Sequence, residues 1–313
     1  MQEPWQAEIV FMGAAALLLA VSVRTWLFLG QRWAAGLPVL AFARRRPVPW
    51  RAVDVALALT VLVVLAVGLY GFAERVVGPR PAAGAAEVAG GELPSEMHPA
   101  ARLMIEGEPL LVLLAVFMAV VVAPLTEEVF VRLVLQGYLE RFAWSLRRRH
   151  SGLRRAAWGK VWPVAVTAVL FAALHIRPAV EVRDVRVFVL PMVTQLFAQV
   201  VAVAFCLAWL TGVRGASLTD LGISRPHWLD DLRIGIVATA AVGPPLMALN
   251  FALNALLPRG VVPDPVPLLI FGLAAGWIYF CTHRITPCLV FHAAFNGLSV
   301  ALVLFARLLG VEL

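Results

Sequence analysis

The chain has 313 residues, 61% of them hydrophobic and only 14% charged, with a formal net charge of +7. Its apolar residues come in long unbroken runs instead of the alternations of a soluble core, which points to an all-α polytopic membrane helix bundle and excludes a soluble two-domain chain. The arginines fall in short clusters between those runs, a topology signal that excludes a nucleic-acid footprint.

In chain order, the acidic N-terminus lacks the basic leader of a cleaved signal, so the first apolar run, 7–29, is expected to be retained as a spanning helix. A connection carrying Arg32, Arg44, Arg45, Arg46 and Arg51 is expected on the inner side, followed by a second span over 52–73. The Ala/Gly/Pro-rich stretch to about 106 has the composition of a flexible external loop. A third span from Pro109 to about Leu139 leads into the most basic connection, from Arg141 through Arg147, Arg148 and Arg149 to Lys160, beside which Trp158 and Trp162 are expected as interface anchors. Further spans are expected over 161–176, 187–212, 234–257, 267–282 and 287–309, with Pro244-Pro245 kinking the sixth and His283-Arg-Ile-Thr286 as a tight turn. That makes eight spans in a membrane, both termini outside, with the richer basic clusters inside.

Cys206, Cys281 and Cys288 lie in or beside apolar runs without CxxC spacing, which indicates small buried side chains. No internal repeat is evident. Asn250 and Asn254 share a face of the sixth span and are expected to bond a neighbouring helix.

The stretch that demands an explanation is Ala123-Pro-Leu-Thr-Glu-Glu-Val-Phe-Val-Arg132, two carboxylates and a guanidinium inside an apolar run. A central charge in a membrane helix costs roughly 2.5–3.5 kcal/mol on insertion scales, so three such groups face protein or trapped water. On a helix Glu128 and Arg132 stand at i, i+4 and pair, while Glu127 points about 100° away from them and is left for chemistry. The other strongly polar groups in the spans are His175, His292 and Asn296, the last two on one helix face. Taken singly, a core histidine is more often structural than catalytic. Together these groups need partners, and the cheapest solution is that they meet.

Two chemistries follow from such a meeting. A glutamate beside a histidine in a low-dielectric pocket takes a proton from water, and a second histidine with an amide on one face holds a developing oxyanion. Alternatively His175, His292 and Glu127 are the three protein ligands of a catalytic zinc with an open position for water; Asn296 is a poor ligand and tilts its helix towards the oxyanion role, or towards orienting a metal ligand.

Glu127-Glu128-x-x-x-Arg132, Phe171-x-x-x-His175 and His292-x-x-x-Asn296, in that order on apolar helices and with Ala123-Pro124 leading in, resemble the three motifs of the CPBP intramembrane proteases, which include the CAAX prenyl endopeptidases. The resemblance covers about 104–305, which makes 104–313 the protease-like core and 1–103 an addition of two helices and a loop. It implies an intramembrane endopeptidase in which Glu127 and His175 activate water, Glu128 and Arg132 support the first motif helix, and His292 with Asn296 stabilise the oxyanion. The family is commonly labelled metalloprotease, although that catalytic picture requires no metal. It implies as partners the lipid bilayer and a membrane protein or lipidated peptide as substrate. The chain departs from the family pattern in a long interval between His175 and His292, and in Val131 and Leu133 around Arg132, where the family often has Phe and Gly.

Two other functions use the same residue types: a proton- or ion-coupled transporter, which needs a continuous polar path that the first two spans do not suggest, and a catalytically idle membrane partner, which has no reason to keep costly buried groups. Straight helices place Glu127 and His292 near the inner face and His175 near the outer one, so a kink at Pro124, tilted helices or a partly re-entrant helix is expected. His98, His150, His227 and His283 lie in loops or at span ends and are expected to have no role.

Overall fold

The computed structural model describes residues 4–40, 42–43, 47–77, 104, 107–149, 158–176, 189–223, 225–257 and 265–310. The expected flexible loop up to residue 106 lies almost wholly outside these, as do Arg44, Arg45, Arg46, His98, His150 and the Trp158 and Lys160 side chains. Among the described residues the chain is all helical: α1 Pro4–Ala34, α2 Ala52–Val77, α3 Pro109–Arg149, α4 Trp158–Leu174, α5 Val189–Gly212, α6 Trp228–Leu256, α7 Pro265–Thr282 and α8 Ile285–Leu309.

The eight described helices bear out the expected helical membrane bundle, and by length and composition seven of them are long and apolar enough to cross a membrane. The exception is α4, apolar only over Val161–Leu174. A spanning helix needs about 20 residues, and the 17 of α4 stand at the low end of the range. The expected turn His283–Thr286 shrinks to His283 and Arg284, because α8 already starts at Ile285. Asn254 donates to the carbonyl of Asn250 in its own helix at 3.0 Å, not to a neighbour.

At 41 residues, α3 is about 60 Å long, twice the hydrocarbon thickness. Two wide π turns, Met118–Val122 and Glu128–Gln136, interrupt it. Such turns are rare and concentrate at functional sites. The first directly precedes Pro124, whose ring clashes with the carbonyl four residues back in a regular α turn and whose nitrogen donates nothing. Eight of the nine residues of the second are buried, Glu128 and Arg132 among them.

Helices pack around α3 through small residues, as expected where lipid is as apolar as leucine and close backbone approach supplies the attraction. A Cβ at Gly235 of α6 would stand 2.4 Å from Val290 Cγ1 and 2.9 Å from the Phe291 amide nitrogen of α8. A Cβ at Gly272 of α7 would stand 3.1 Å from Ala168 Cα in α4. At one end of the bundle, Ile285 donates its N–H to the Gly222 carbonyl at 3.1 Å and Arg284 pairs with buried Asp231 at 2.6 Å, which fixes where α8 begins.

The first two helices are fastened to this core by polar side chains. Asp54 of α2 accepts from the Arg51 amide at 2.7 Å, from Trp209 Nε1 of α5 at 2.8 Å and from Arg214 Nε at 2.7 Å. Trp50, fully buried before α2, donates its indole N–H to the Val134 carbonyl of α3 at 3.0 Å. Arg141 of α3 returns two bonds, to the Val48 and Trp50 carbonyls, each at 2.8 Å.

Candidate active site

Glu127, Glu128 and Arg132 come from the middle of α3, His175 from the turn that ends α4, and His292 and Asn296 from the second and third turns of α8. They meet. Glu127 Oε2 lies 3.6 Å from His175 Nε2 and 3.7 Å from His292 Nε2. The depth conflict drawn from straight spans disappears for two physical reasons: α3 continues to Arg149, so Glu127 sits in its middle and not near one end, and α4 is short, so its His175 end stops at that level.

Each histidine is held from behind. His175 Nδ1 donates to the Phe171 carbonyl at 2.7 Å, since a carbonyl only accepts; its Nε2 is therefore the nitrogen turned to Glu127. Its ring lies over Phe171, centroid to centroid 4.6 Å. His292 Nδ1 faces Glu128 Oε1 at 2.9 Å, and its ring meets Phe271 of α7 edge-on at 4.8 Å. Both rings thus present Nε2 to the same carboxylate oxygen.

Glu128 and Arg132 form the floor. Arg132 Nε is 3.4 Å from Glu128 Oε2, both side chains fully buried, and the guanidinium sits 5.3 Å from the centre of the Phe171 ring. A buried ion pair is costly in desolvation and becomes tolerable when further hydrogen bonds and a π face complete it. Arg132 Nη1 donates to Thr167 Oγ1 of α4 at 3.3 Å, and Thr167 also lies 3.3 Å from Gln136 Oε1. Gln136 in turn donates to Glu140 Oε1 at 2.9 Å and to the Gly276 carbonyl of α7 at 2.8 Å. His283 Nδ1 closes the row 3.7 Å from Glu140 Oε2.

Sequence reasoning missed Gln136, Glu140 and Thr167. The signal was there: Glu128, Arg132, Gln136 and Glu140 recur every four residues along one helix, and Thr167, Phe171 and His175 do the same on another. Asn296 stands apart from the Glu127–His175 edge in one respect: its Nδ2 donates to the Ala119 carbonyl of α3 at 2.8 Å.

Exposure grades across the site. The Glu127 and His175 side chains are 29% and 24% exposed, against 0% for Glu128 and Arg132. A partly exposed edge therefore rests on a closed ionic floor, both carried on helices.

A family model described as Type II CAAX prenyl endopeptidase Rce1-like matches residues 109–298, which runs from the start of α3 through Asn296 and takes in every residue of this site. No curated protein and no solved structure matches the chain. With more than half of its length covered, this membrane-spanning chain belongs to the Rce1-like type II CAAX prenyl endopeptidases, a family of intramembrane proteases.

Proposed function

We propose that the chain hydrolyses a peptide bond of a membrane-associated substrate, with water activated between Glu127 and His175. The observation that carries this reading is the convergence of Glu127 Oε2 with two imidazole Nε2 atoms, at 3.6 and 3.7 Å, on the partly exposed edge of an otherwise buried polar cluster. Water held there gives a proton to Glu127 while its oxygen attacks the peptide carbonyl carbon. The carbonyl electrons move onto oxygen, and His292 Nε2, its ring oriented by Glu128 behind Nδ1, is placed to stabilise that charge when it carries a proton. Collapse breaks the C–N bond, and the proton held on Glu127 leaves with the amine. A positioned base of this kind contributes about 10²- to 10⁴-fold in rate.

His175, His292 and Glu127 are also the donor types of a catalytic zinc. Among the described residues, no three such groups are arranged to hold a metal ion. The steps above use the chain's own residues alone, and none is routed through a metal.

The substrate class follows from the location and from the family: a peptide held at the membrane by a lipid or by its own helix, with prenylated CAAX peptides as the first candidates. The test is cleavage of membrane-tethered peptides, prenylated and not, by purified protein in detergent, for the native chain and Glu127→Ala, each with and without a chelator. Cleavage that is lost in Glu127→Ala and survives the chelator supports the reading. Loss of native activity on chelation overturns the metal-free chemistry. Absence of cleavage together with a Glu127-dependent proton flux in liposomes replaces the protease by a transporter.

A further inference from the structure

We infer that Asn296 is a positioning residue: its amide replaces the N–H that Pro124 lacks and so fixes α8 against the break in α3. In the first π turn the Ala123 amide donates five residues back, to the Met118 carbonyl. The next carbonyl, that of Ala119, has lost both backbone partners. Its α-type donor, Ala123, is committed to Met118, and its π-type donor is Pro124, which has no N–H. Inside a membrane an unserved carbonyl costs more than in water, since no solvent reaches it. Asn296 Nδ2 supplies the missing bond at 2.8 Å, from a helix 177 residues further along the chain.

The same device recurs elsewhere in the chain. Pro245 of α6 cannot serve the carbonyl four residues back, that of Ala241, and there Ser22 Oγ and Trp26 Nε1 of α1 both donate at 2.9 Å. Two proline-freed carbonyls are thus each occupied by side chains from another helix. At the α3 break the consequence is functional, because Asn296 lies one turn beyond His292 and the break lies three residues before Glu127. One bond ties together the two elements that carry His292 and Glu127.

The effect on catalysis rests on the proposed hydrolysis; the bond itself does not, and its test needs no activity. The thermal midpoint is measured in detergent for the native chain, Asn296→Ala, Pro124→Ala and the double variant. Removing the amide strands the Ala119 carbonyl and is expected to lower the midpoint by about 5 °C. In the Pro124→Ala background, where residue 124 again has an N–H, the same substitution is expected to cost less than half as much. An equal cost in both backgrounds, or none in either, overturns the inference. For catalysis, Asn296→Ala is expected to lower kcat with KM unchanged, and by a smaller factor in the Pro124→Ala background than in the native one. An identical factor in both places the amide on the reacting atoms and overturns the positioning role even where the thermal coupling is present. The paired change Ser22→Ala with Trp26→Phe, which removes both donors to the Ala241 carbonyl, repeats the thermal test far from the site when compared in the native and Pro245→Ala backgrounds.

Discussion

Glu128 and His292, 164 residues apart in the chain, are joined at 2.9 Å in a place closed to both water and lipid, with side-chain exposures of 0% and 5%. This contact separates the surroundings of the adjacent glutamates. Glu127 faces the open edge, while Glu128 faces the guanidinium below and the imidazole beside it. Adjacent helix positions point about 100° apart, so one EE pair serves two environments.

The two glutamates are therefore expected to fail differently. Glu127→Gln keeps volume and polarity at the partly exposed edge; it should leave the thermal midpoint within a degree or two and lower kcat by about 10²- to 10⁴-fold. Glu128→Ala leaves Arg132 buried without its carboxylate, a change that costs about 3–5 kcal/mol when one half of a buried pair is removed. Thermal unfolding beside peptide cleavage separates the two, and equal destabilisation by both variants would contradict the division.

Arg132→Lys is expected to behave as a loss, not as a conservative change. The guanidinium reaches Glu128 with Nε and Thr167 with Nη1 while lying over Phe171, which a single ammonium on a flexible stem does not reproduce. The midpoint should fall for Arg132→Lys nearly as far as for Arg132→Met. Native stability in the lysine variant would show that only charge matters at this position.

The first motif was legible because three ionisable residues in an apolar run have no membrane-facing explanation, and the i, i+4 spacing of Glu128 and Arg132 reads directly as a pair. The helical class was legible from composition alone. What the sequence hid was geometry that depends on helix length and register. Hydropathy marks α4 as one more span but does not say at which level it ends, and where it ends brings His175 to Glu127. The π turns leave no compositional trace apart from Pro124. Asn296 shares a helix face with His292, but sharing a face does not say which atom across the interface the amide meets; that atom is a backbone carbonyl.

The packing of α6 on α8 supplies a steric prediction with an internal control. A methyl at Gly235 meets Val290 Cγ1 at 2.4 Å and the Phe291 backbone nitrogen at 2.9 Å, next to His292, and a backbone atom cannot rotate away. A methyl at Gly243, two turns along, finds its nearest neighbour at 3.6 Å, an ordinary contact. Gly235→Ala should lower both the midpoint and the cleavage rate, whereas Gly243→Ala should leave both near native or raise stability slightly through helix propensity. Similar behaviour of the two variants would mean that α6 and α8 slide to accommodate the added group.

Asp54 offers the corresponding test for the N-terminal addition. Its carboxylate, fully buried, gathers three donors from Arg51, Trp209 and Arg214 and thereby ties the start of α2 to the end of α5, a place far in sequence from every motif residue. Asp54→Ala strands the Trp209 indole N–H and the Arg214 guanidinium and should cost more than Trp209→Phe, which removes one donor and leaves the carboxylate two. If α2 serves only to brace the bundle, the Asp54→Ala protein that remains folded should cleave with kcat and KM within about threefold of native, a difference worth under about 1 kcal/mol. A large KM rise without loss of thermal stability would instead place the α2–α5 face on the path by which substrate reaches Glu127.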